Sequence, residues 1–210
     1  SDAFAKCSSL TLVIISSRIN SIGSGAFDGC DALTKTNYLG DIAGWCAIKF
    51  GGPFANPISN SHNLYINNQE IRDLVIPNTV DSIHNYAFYE CFSLTSVSIG
   101  NSVTSIGDNA FYGCSSLTSV TIGHSLTSIG GRAFYGCSSL TSVNIPESVT
   151  NIWYDAFENT GIYNDESNWE NNVLYIDNCL IDIKNYTLSG EYTIKDGVRL
   201  IAGGAFWDQN

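Results

Sequence analysis

A six-residue phrase returns every 23 residues in this chain: Leu94-Thr-Ser-Val-Ser-Ile, Leu117-Thr-Ser-Val-Thr-Ile and Leu140-Thr-Ser-Val-Asn-Ile, each followed by a second phrase that ends in Ala-Phe. A fixed period of this length restricts the chain to a solenoid, because one such turn cannot bury its own apolar side and must stack on a neighbour. Within a turn the apolar positions are Leu94, Val97, Ile99, Val103, Ile106 and Phe111, and they return as Leu117, Val120, Ile122, Leu126, Ile129 and Phe134. The same spacing holds at Leu10, Val13, Ile15, Ile19, Ile22, Phe27 and at Ile71, Leu74, Ile76, Val80, Ile83, Phe88, with unrelated residues in between. What repeats is geometry rather than composition.

The interval from Phe27 to Phe88 is too long for one turn. A degenerate turn fits inside it, with Leu33, Thr36, Tyr38, Ile42, Trp45 and Phe50 at the six positions, followed by a surplus of about 15 residues. The chain thus reads as one solenoid over 1–210 with insertions at about 51–70 and 163–188, after which Tyr192, Ile194, Val198, Ile201 and Phe206 restore the skeleton. In the second insertion Val173-Leu-Tyr-Ile and Cys179-Leu-Ile-Asp-Ile flank Asp177-Asn178, which is a hairpin signal. Leu64-Tyr-Ile followed by Asn67-Asn68 is a weaker copy.

The Leu-Thr-Ser-Val phrases are short, rich in β-branched residues and closed by Gly100, Gly123 or Pro146, which predicts strands that pair in parallel between stacked turns. Alternation points Val97 and Ile99 inward and leaves Ser96, Ser98, Ser119, Thr121, Ser142 and Asn144 as an outward polar grid. Asp108-Asn-Ala-Phe-Tyr-Gly-Cys predicts a tight 3₁₀ or one-turn helical corner. The expected class is a β-dominated α/β repeat protein. The pattern Leu-x-x-Val-x-Ile-(Pro/Gly)-x-x-Val-x-x-Ile-Gly-x-x-Ala-Phe-x-x-Cys resembles the leucine-rich repeats of the BspA type, also found in treponemal proteins. It covers nearly the whole chain and lapses at the insertions, at the turn from Leu33 to Phe50, and at Thr160, which stands where a Cys is due. The resemblance implies a right-handed curved solenoid that is secreted or attached to a cell surface, with roles in adhesion and in binding host or matrix proteins.

Five of the seven cysteines, Cys7, Cys30, Cys91, Cys114 and Cys137, follow a repeat Phe by three residues and form one ladder. Rungs about 4.8 Å apart lie within disulfide reach, but parallel side chains point the same way, so a small packed thiol is the expectation. Cys46 and Cys179 lie outside the ladder and too far apart along a solenoid to pair.

Twenty acidic residues against nine basic ones disfavour nucleic acid or an anionic membrane as partner, and no apolar run approaches the ~18 residues of a membrane span. The sequence opens in mid-repeat at Ser1-Asp-Ala-Phe4 and stops just after Ala205-Phe206, which reads as a piece of a longer protein carrying its signals elsewhere.

Catalytic parts are scarce. His62, His84 and His124 are isolated, the many Ser and Thr repeat with the solenoid, and no metal-ligand or phosphate-loop spacing occurs. A catalytic reading would require an exposed His beside a carboxylate across adjacent turns. Asp165, Glu166 and Asp177 offer oxygens of the kind Ca²⁺ takes, against which a solvated acidic loop is the plainer reading. No cofactor is implied.

Hydroxyls make weak binding anchors, whereas Trp, Tyr and Arg make strong ones. The aromatic residues that break the repeat are Trp45, Phe54, Tyr65, Trp153 at a position otherwise Gly, Tyr163, Trp169 and Tyr175. The expectation is a monomeric, non-enzymatic module whose protein or glycan partner touches these aromatics and the polar grid beside them. Two alternatives stay open: that the aromatics tuck the insertions onto the solenoid edge, and that the whole segment is a spacer that displays other domains.

Overall fold

The computed structural model describes residues 2–184 and 191–206, so 185–188 of the second expected insertion lie outside the described residues. Strands Leu12–Ser16 and Lys35–Leu39 pair in parallel, and Asp73–Ile76, Ser96–Ile99 and Ser119–Thr121 form a second parallel ladder. On the next edge of each turn Ser82–Ile83, Ser105–Ile106, Ser128–Ile129 and Asn151–Ile152 form a third. The registers Leu74↔Val97 and Val97↔Val120 stack equivalent positions of successive turns, so the apolar skeleton becomes columns of buried side chains. Phe88, Phe111, Phe134 and Phe157 are buried in one such column, with ring centroids 5.2, 5.3 and 5.5 Å apart and planes within 8° of parallel. Each such ring removes from water an area worth about 1.5–3 kcal/mol.

The phrase residues that look decorative have framework roles. Thr104, Thr118 and Thr127 each donate both the main-chain N–H and Oγ1 to one carbonyl of the preceding turn, at 2.8–3.0 Å. The ladder thiols do likewise: Cys30, Cys114 and Cys137 donate Sγ–H to the carbonyls of Phe4, Phe88 and Phe111 at 3.1–3.2 Å. All seven cysteines are free, and six are buried; Cys7 is exposed and departs from the packed thiol expected of the ladder. Burial pushes the thiol of Cys46 up to about 12 and that of Cys91 up to about 11.

The regular corners are tight turns rather than the 3₁₀ or helical corners expected. Two left-handed residues four apart shape each of them, Tyr86 and Glu90, Asn109 and Gly113, Arg132 and Gly136, Asp155 and Asn159. Helical turns occur instead where the repeat is broken.

The surplus between Phe27 and Phe88 is distributed differently from the sequence reading. Ser21↔Lys49 and Ile22↔Phe50 pair, so Phe50 takes the position of Ile22 and not that of Phe27. The helix Ile42–Cys46, capped by Asp41 Oδ1 on the Gly44 N–H at 2.8 Å, absorbs five extra residues before that point. Phe27 N–H then bonds the carbonyl of Phe54 where Phe4 N–H bonds that of Ala26, which places Ala55 in the phenylalanine column. The remaining ten residues form the hairpin of Leu64–Ile66 and Gln69–Glu70, whose Asn67 and Asn68 both have positive φ.

The third phrase makes no ladder with Ser119–Thr121: the Leu140 carbonyl accepts from Ile162 N–H at 2.9 Å and the Ile145 N–H donates to Asp177 at 2.7 Å. The second insertion has therefore taken the place of the next turn. The helix Gly161–Asn164 leads into it, and its strands Trp169–Glu170, Val173–Ile176 and Cys179–Ile183 form a sheet that Leu200–Ile201 of the last turn joins, with Asp177-Asn178 at the hairpin turn as expected. In the last turn the register is one residue off the expected one. Leu200 and Ala202 are buried and Ile201 is 45% exposed, because Leu200 pairs with Cys179 across the insertion sheet.

Candidate functional site

The outward strand grid is where the sequence puts it, but part of it is spent internally. Ser98, Ser119, Thr121, Ser142 and Asn144 are exposed, whereas Ser96 is half-buried and donates to Asp73 at 2.6 Å. That bond, with one from Thr95, holds the Asp73 carboxyl below its ordinary range. Beside the grid Tyr65 is half-buried under the Lys35 ammonium, 4.3 Å from its ring centre.

Most of the aromatics in the broken repeats have internal roles. Trp45 is fully buried, which removes it from the candidate contact residues. Its indole packs on Tyr38 and Phe50 and donates to the Ala87 carbonyl at 2.8 Å, beside the column where Ala55 supplies no ring. Trp169 stands edge-on to Tyr163, centroids 5.0 Å apart, and donates to its carbonyl at 2.7 Å. Tyr175 shares a hydroxyl bond of 2.9 Å with Tyr192. The Tyr175 bond ties the second insertion to the chain that follows it, while Tyr163 and Trp169 hold each other and pack against the core.

Trp153 differs, being 51% exposed next to Tyr154 at 44%. It lies at the mouth of a narrow cleft of about 10 Å³, lined also by Asp155, Glu158, Tyr163 and Asp182. The cleft is formed where the last regular corner meets the second insertion, and of the sequence candidates it brings together Trp153 and Tyr163. Burial raises the carboxyls of Glu158 and Asp182 above their ordinary values, and Asp155 adds repulsion to both. Asp182 Oδ1 accepts the Ile183 N–H at 2.7 Å, and its carboxyl also bonds Tyr163.

A column absent from the sequence candidates leads into this cleft. Tyr89, Tyr112 and Tyr135 stack with centroids 4.8 and 4.9 Å apart, half-buried on the corner face, and Glu158 occupies the next rung. The Arg132 guanidinium lies over the rings of Tyr135 and Tyr154, at 5.9 and 5.6 Å, and donates to Asp155 at 3.0 Å. The signal for the column was in the sequence as the Tyr that follows Phe88, Phe111 and Phe134, hidden because it shared the period of the framework.

The other acidic candidates are engaged locally. Asp165 caps Ser167 N–H at 2.9 Å, Glu166 pairs with Lys184, and Asp177 holds Ile145. His62 does meet a carboxylate across adjacent turns, Glu90 at 3.9 Å, the arrangement a catalytic reading requires. Its ring lies flat on Phe92, with centroids 4.2 Å apart, and Nδ1 faces the Glu90 main-chain carbonyl at 3.4 Å. That geometry packs the imidazole between two turns and aims it at main chain rather than at a nucleophile.

Residues 1–44 and 60–182 match the family model described as BspA type Leucine rich repeat region, in six copies. The unmatched stretch between them begins inside the helix Ile42–Cys46 that displaces the repeat register. Among solved structures, the chain is similar to a leucine rich cell surface protein from Faecalibacterium prausnitzii, with 28% identity and a TM-score of 0.50, covering 71% of this chain and 39% of that one. It is also similar to a T. pallidum leucine rich repeat protein (24% identity, TM-score 0.46, 70% of this chain and 64% of that one) and to a Bacteroides ovatus leucine-rich repeat protein (22%, 0.39, 100% and 56%). The chain spans less than two thirds of each of these proteins. Among curated proteins, none matches it.

Proposed function

The chain belongs to the BspA-type leucine-rich-repeat family, and from that premise we propose that it is a non-catalytic protein-binding module acting in adhesion at a cell surface, with the corner face around Trp153 as its contact surface. Leucine-rich repeats of this family are general protein-interaction modules, and a similar solved protein is described as a cell surface protein. The observation that carries the choice of face is the concentration of Trp153, Tyr154, Arg132 and the tyrosine column on one side of the corners, since these residue types dominate binding energy at interfaces. The strand grid offers small hydroxyls, and that of Ser96 is already bonded within the fold.

The test is binding of the full chain to a panel of matrix proteins and glycans, with Trp153→Ala and Tyr135→Ala alone and together. A protein partner that loses at least tenfold in affinity on Trp153→Ala, with the fold intact by circular dichroism, is the expected result. Binding to nothing on the panel favours the spacer reading. Binding indifferent to both substitutions but weakened by Ser119→Lys moves the contact to the strand grid.

A further inference from the structure

We propose that the gap between the strand Lys49–Phe50 and the strand Ser82–Ile83 binds a carboxylate on a short aliphatic stem, with Lys49, His84 and Asn85 as its donors. The gap shares no lining residue with the Trp153 cleft, and the inference does not rest on the choice of that face.

The gap exists because two ladders part. Gly51, Gly107 and Gly130 donate their N–H to Ile22, Ile83 and Ile106 of the preceding turn at 2.8–2.9 Å, but His84 N–H, at the same position, reaches back to Cys46 at 3.3 Å. The Phe50 carbonyl, its regular partner, accepts no main-chain bond among the described residues. At Gly51, Gly107 and Gly130 an added Cβ would stand 2.6 Å from a main-chain nitrogen of the preceding turn, so those turns close on each other. Here the parting leaves a space of about 240 Å³, lined by Lys49, Phe50, His84 and Asn85.

Three of the lining residues offer donors without acceptors. Lys49 is exposed and has no ion pair among the described residues. Asn85 Oδ1 accepts the Asp108 N–H at 2.9 Å, which fixes the amide and leaves Nδ2 as its free end. His84 Nδ1 is buried without a partner, and an orphaned buried N–H costs more than an orphaned lone pair, so the neutral ring keeps its proton on Nε2. Nε2 is not buried in this way and presents the N–H. No carboxylate lines the gap, and the acids nearest in sequence, Asp81 and Asp108, are bonded to Ser82 and Gly131. An ammonium, an imidazole N–H and an amide gathered without an acid suit the oxygens of an anion. Two further features choose the anion. The formal net charge of −11 repels multiply charged ligands more than singly charged ones. Phe50, 7% exposed, makes one wall apolar, which suits methylene groups and strips water from the oxygens of a phosphate.

The probe is propionate, titrated into the full chain at fixed pH and ionic strength while the imidazole signals of the three histidines are followed by NMR, with propionamide as the uncharged form. His84→Gly, which installs the residue of the regular turns, identifies the His84 signals. A saturable His84 shift with propionate and none with propionamide is expected. Lys49→Gln, with the fold intact by circular dichroism, should weaken it about fivefold or more. Arg18→Gln, which removes an exposed cation of the first turn, should change it by less than about twofold and controls for net charge. Blocked Ser-Glu-Ser and Ser-Gln-Ser peptides separate the two sources of such a carboxylate. A Glu peptide that binds at least as tightly as propionate, with the Gln peptide inert, supports the side chain of a partner protein; propionate binding alone supports a free short-chain acid. Propionamide shifting His84 as far as propionate, equal shifts at His62 and His124, or Arg18→Gln costing as much as Lys49→Gln overturns the proposal. So does the lack of a saturable shift up to about 50 mM propionate. Inorganic phosphate that binds more tightly than propionate and is lost on Lys49→Gln reassigns the gap and overturns the carboxylate. None of these outcomes alters the test of Trp153→Ala on the corner face.

Discussion

Trp45 shows how one residue can be read correctly as anomalous and wrongly as functional. In sequence it is a large aromatic where the repeat has Ile22 and Ile106; in the structure it is completely buried, with its N–H on the Ala87 carbonyl. Trp45→Ala should therefore destabilise the fold by about 3–5 kcal/mol, and Trp45→Phe by less, because Asn56 Nδ2 also donates to that carbonyl at 3.1 Å. Urea denaturation followed by circular dichroism measures both. The buried carboxyls give a second prediction. Burial raises Glu90, Glu158 and Asp182, so the folded state takes up protons before the unfolded chain does as pH falls. Stability contributed by these groups rises as pH falls toward the ordinary carboxyl range, about 4, whereas Asp73 and Asp165, held low by hydrogen bonds, lose their contribution only below that range. The groups facing them are His62 and Tyr89 for Glu90, Asp155, Asp182 and Arg132 for Glu158, and Tyr163 with Asp155 for Asp182. A thermal melting series should show the rise, and it should flatten when Glu158→Gln and Asp182→Asn are combined.

At the scale of elements, the insertions follow local rules that the sequence displays. Asn67-Asn68 and Asn171-Asn172 are two-residue hairpin turns with positive φ at both positions, a conformation Asn tolerates and β-branched residues do not. Asn68→Gly should leave stability unchanged or slightly higher, since the Asn68 N–H bond to Asn37 Oδ1 at 2.8 Å is kept, while Asn68→Val should cost about 1–2 kcal/mol. A drop with Gly as large as that with Val would mean the side chain, not the turn conformation, is what matters. Thr160 is equally instructive. It replaces a ladder Cys, caps the helix Gly161–Asn164 through its hydroxyl on Tyr163 N–H at 3.1 Å, and so marks where the regular stack gives way to the insertion. The hairpins at Asn67-Asn68 and Asp177-Asn178 and the substitution at Thr160 were legible because turn and cap chemistry is local, whereas the turn at Asn171-Asn172 was not read from the sequence. The helix Ile42–Cys46 was not, because six residues from Leu33 to Phe50 happened to satisfy the repeat spacing, and only the pairing of Ile22 with Phe50 shows the five-residue displacement.

Across the described residues the stack has one large core, from Ile15 to Ala202, with a smaller cluster around Phe27 and another in the insertion sheet, and each turn is held by its neighbours. Thiol protection reports on it along its length. In native conditions one of seven thiols, Cys7, should react with an aromatic disulfide reagent, and all seven should react in denaturant; fast native reaction of a second thiol would mean that a ladder opens locally. The 23-residue period by itself determined the architecture, the inward columns and the framework roles of most Ser, Thr, Gly and Cys, because each turn can bury its apolar side only against an equivalent turn. Tertiary structure alone decided which aromatics face solvent. Trp45, Trp169 and Trp153 carry the same indole, and their exposure depends on how the chain is displaced around them: one fills the gap beside Ala55, one pins the second insertion, and one is left at the mouth of a cleft. The cleft arises because the second insertion occupies the space of the next turn, and a period encodes contacts between equivalent turns but not those made where equivalence ends.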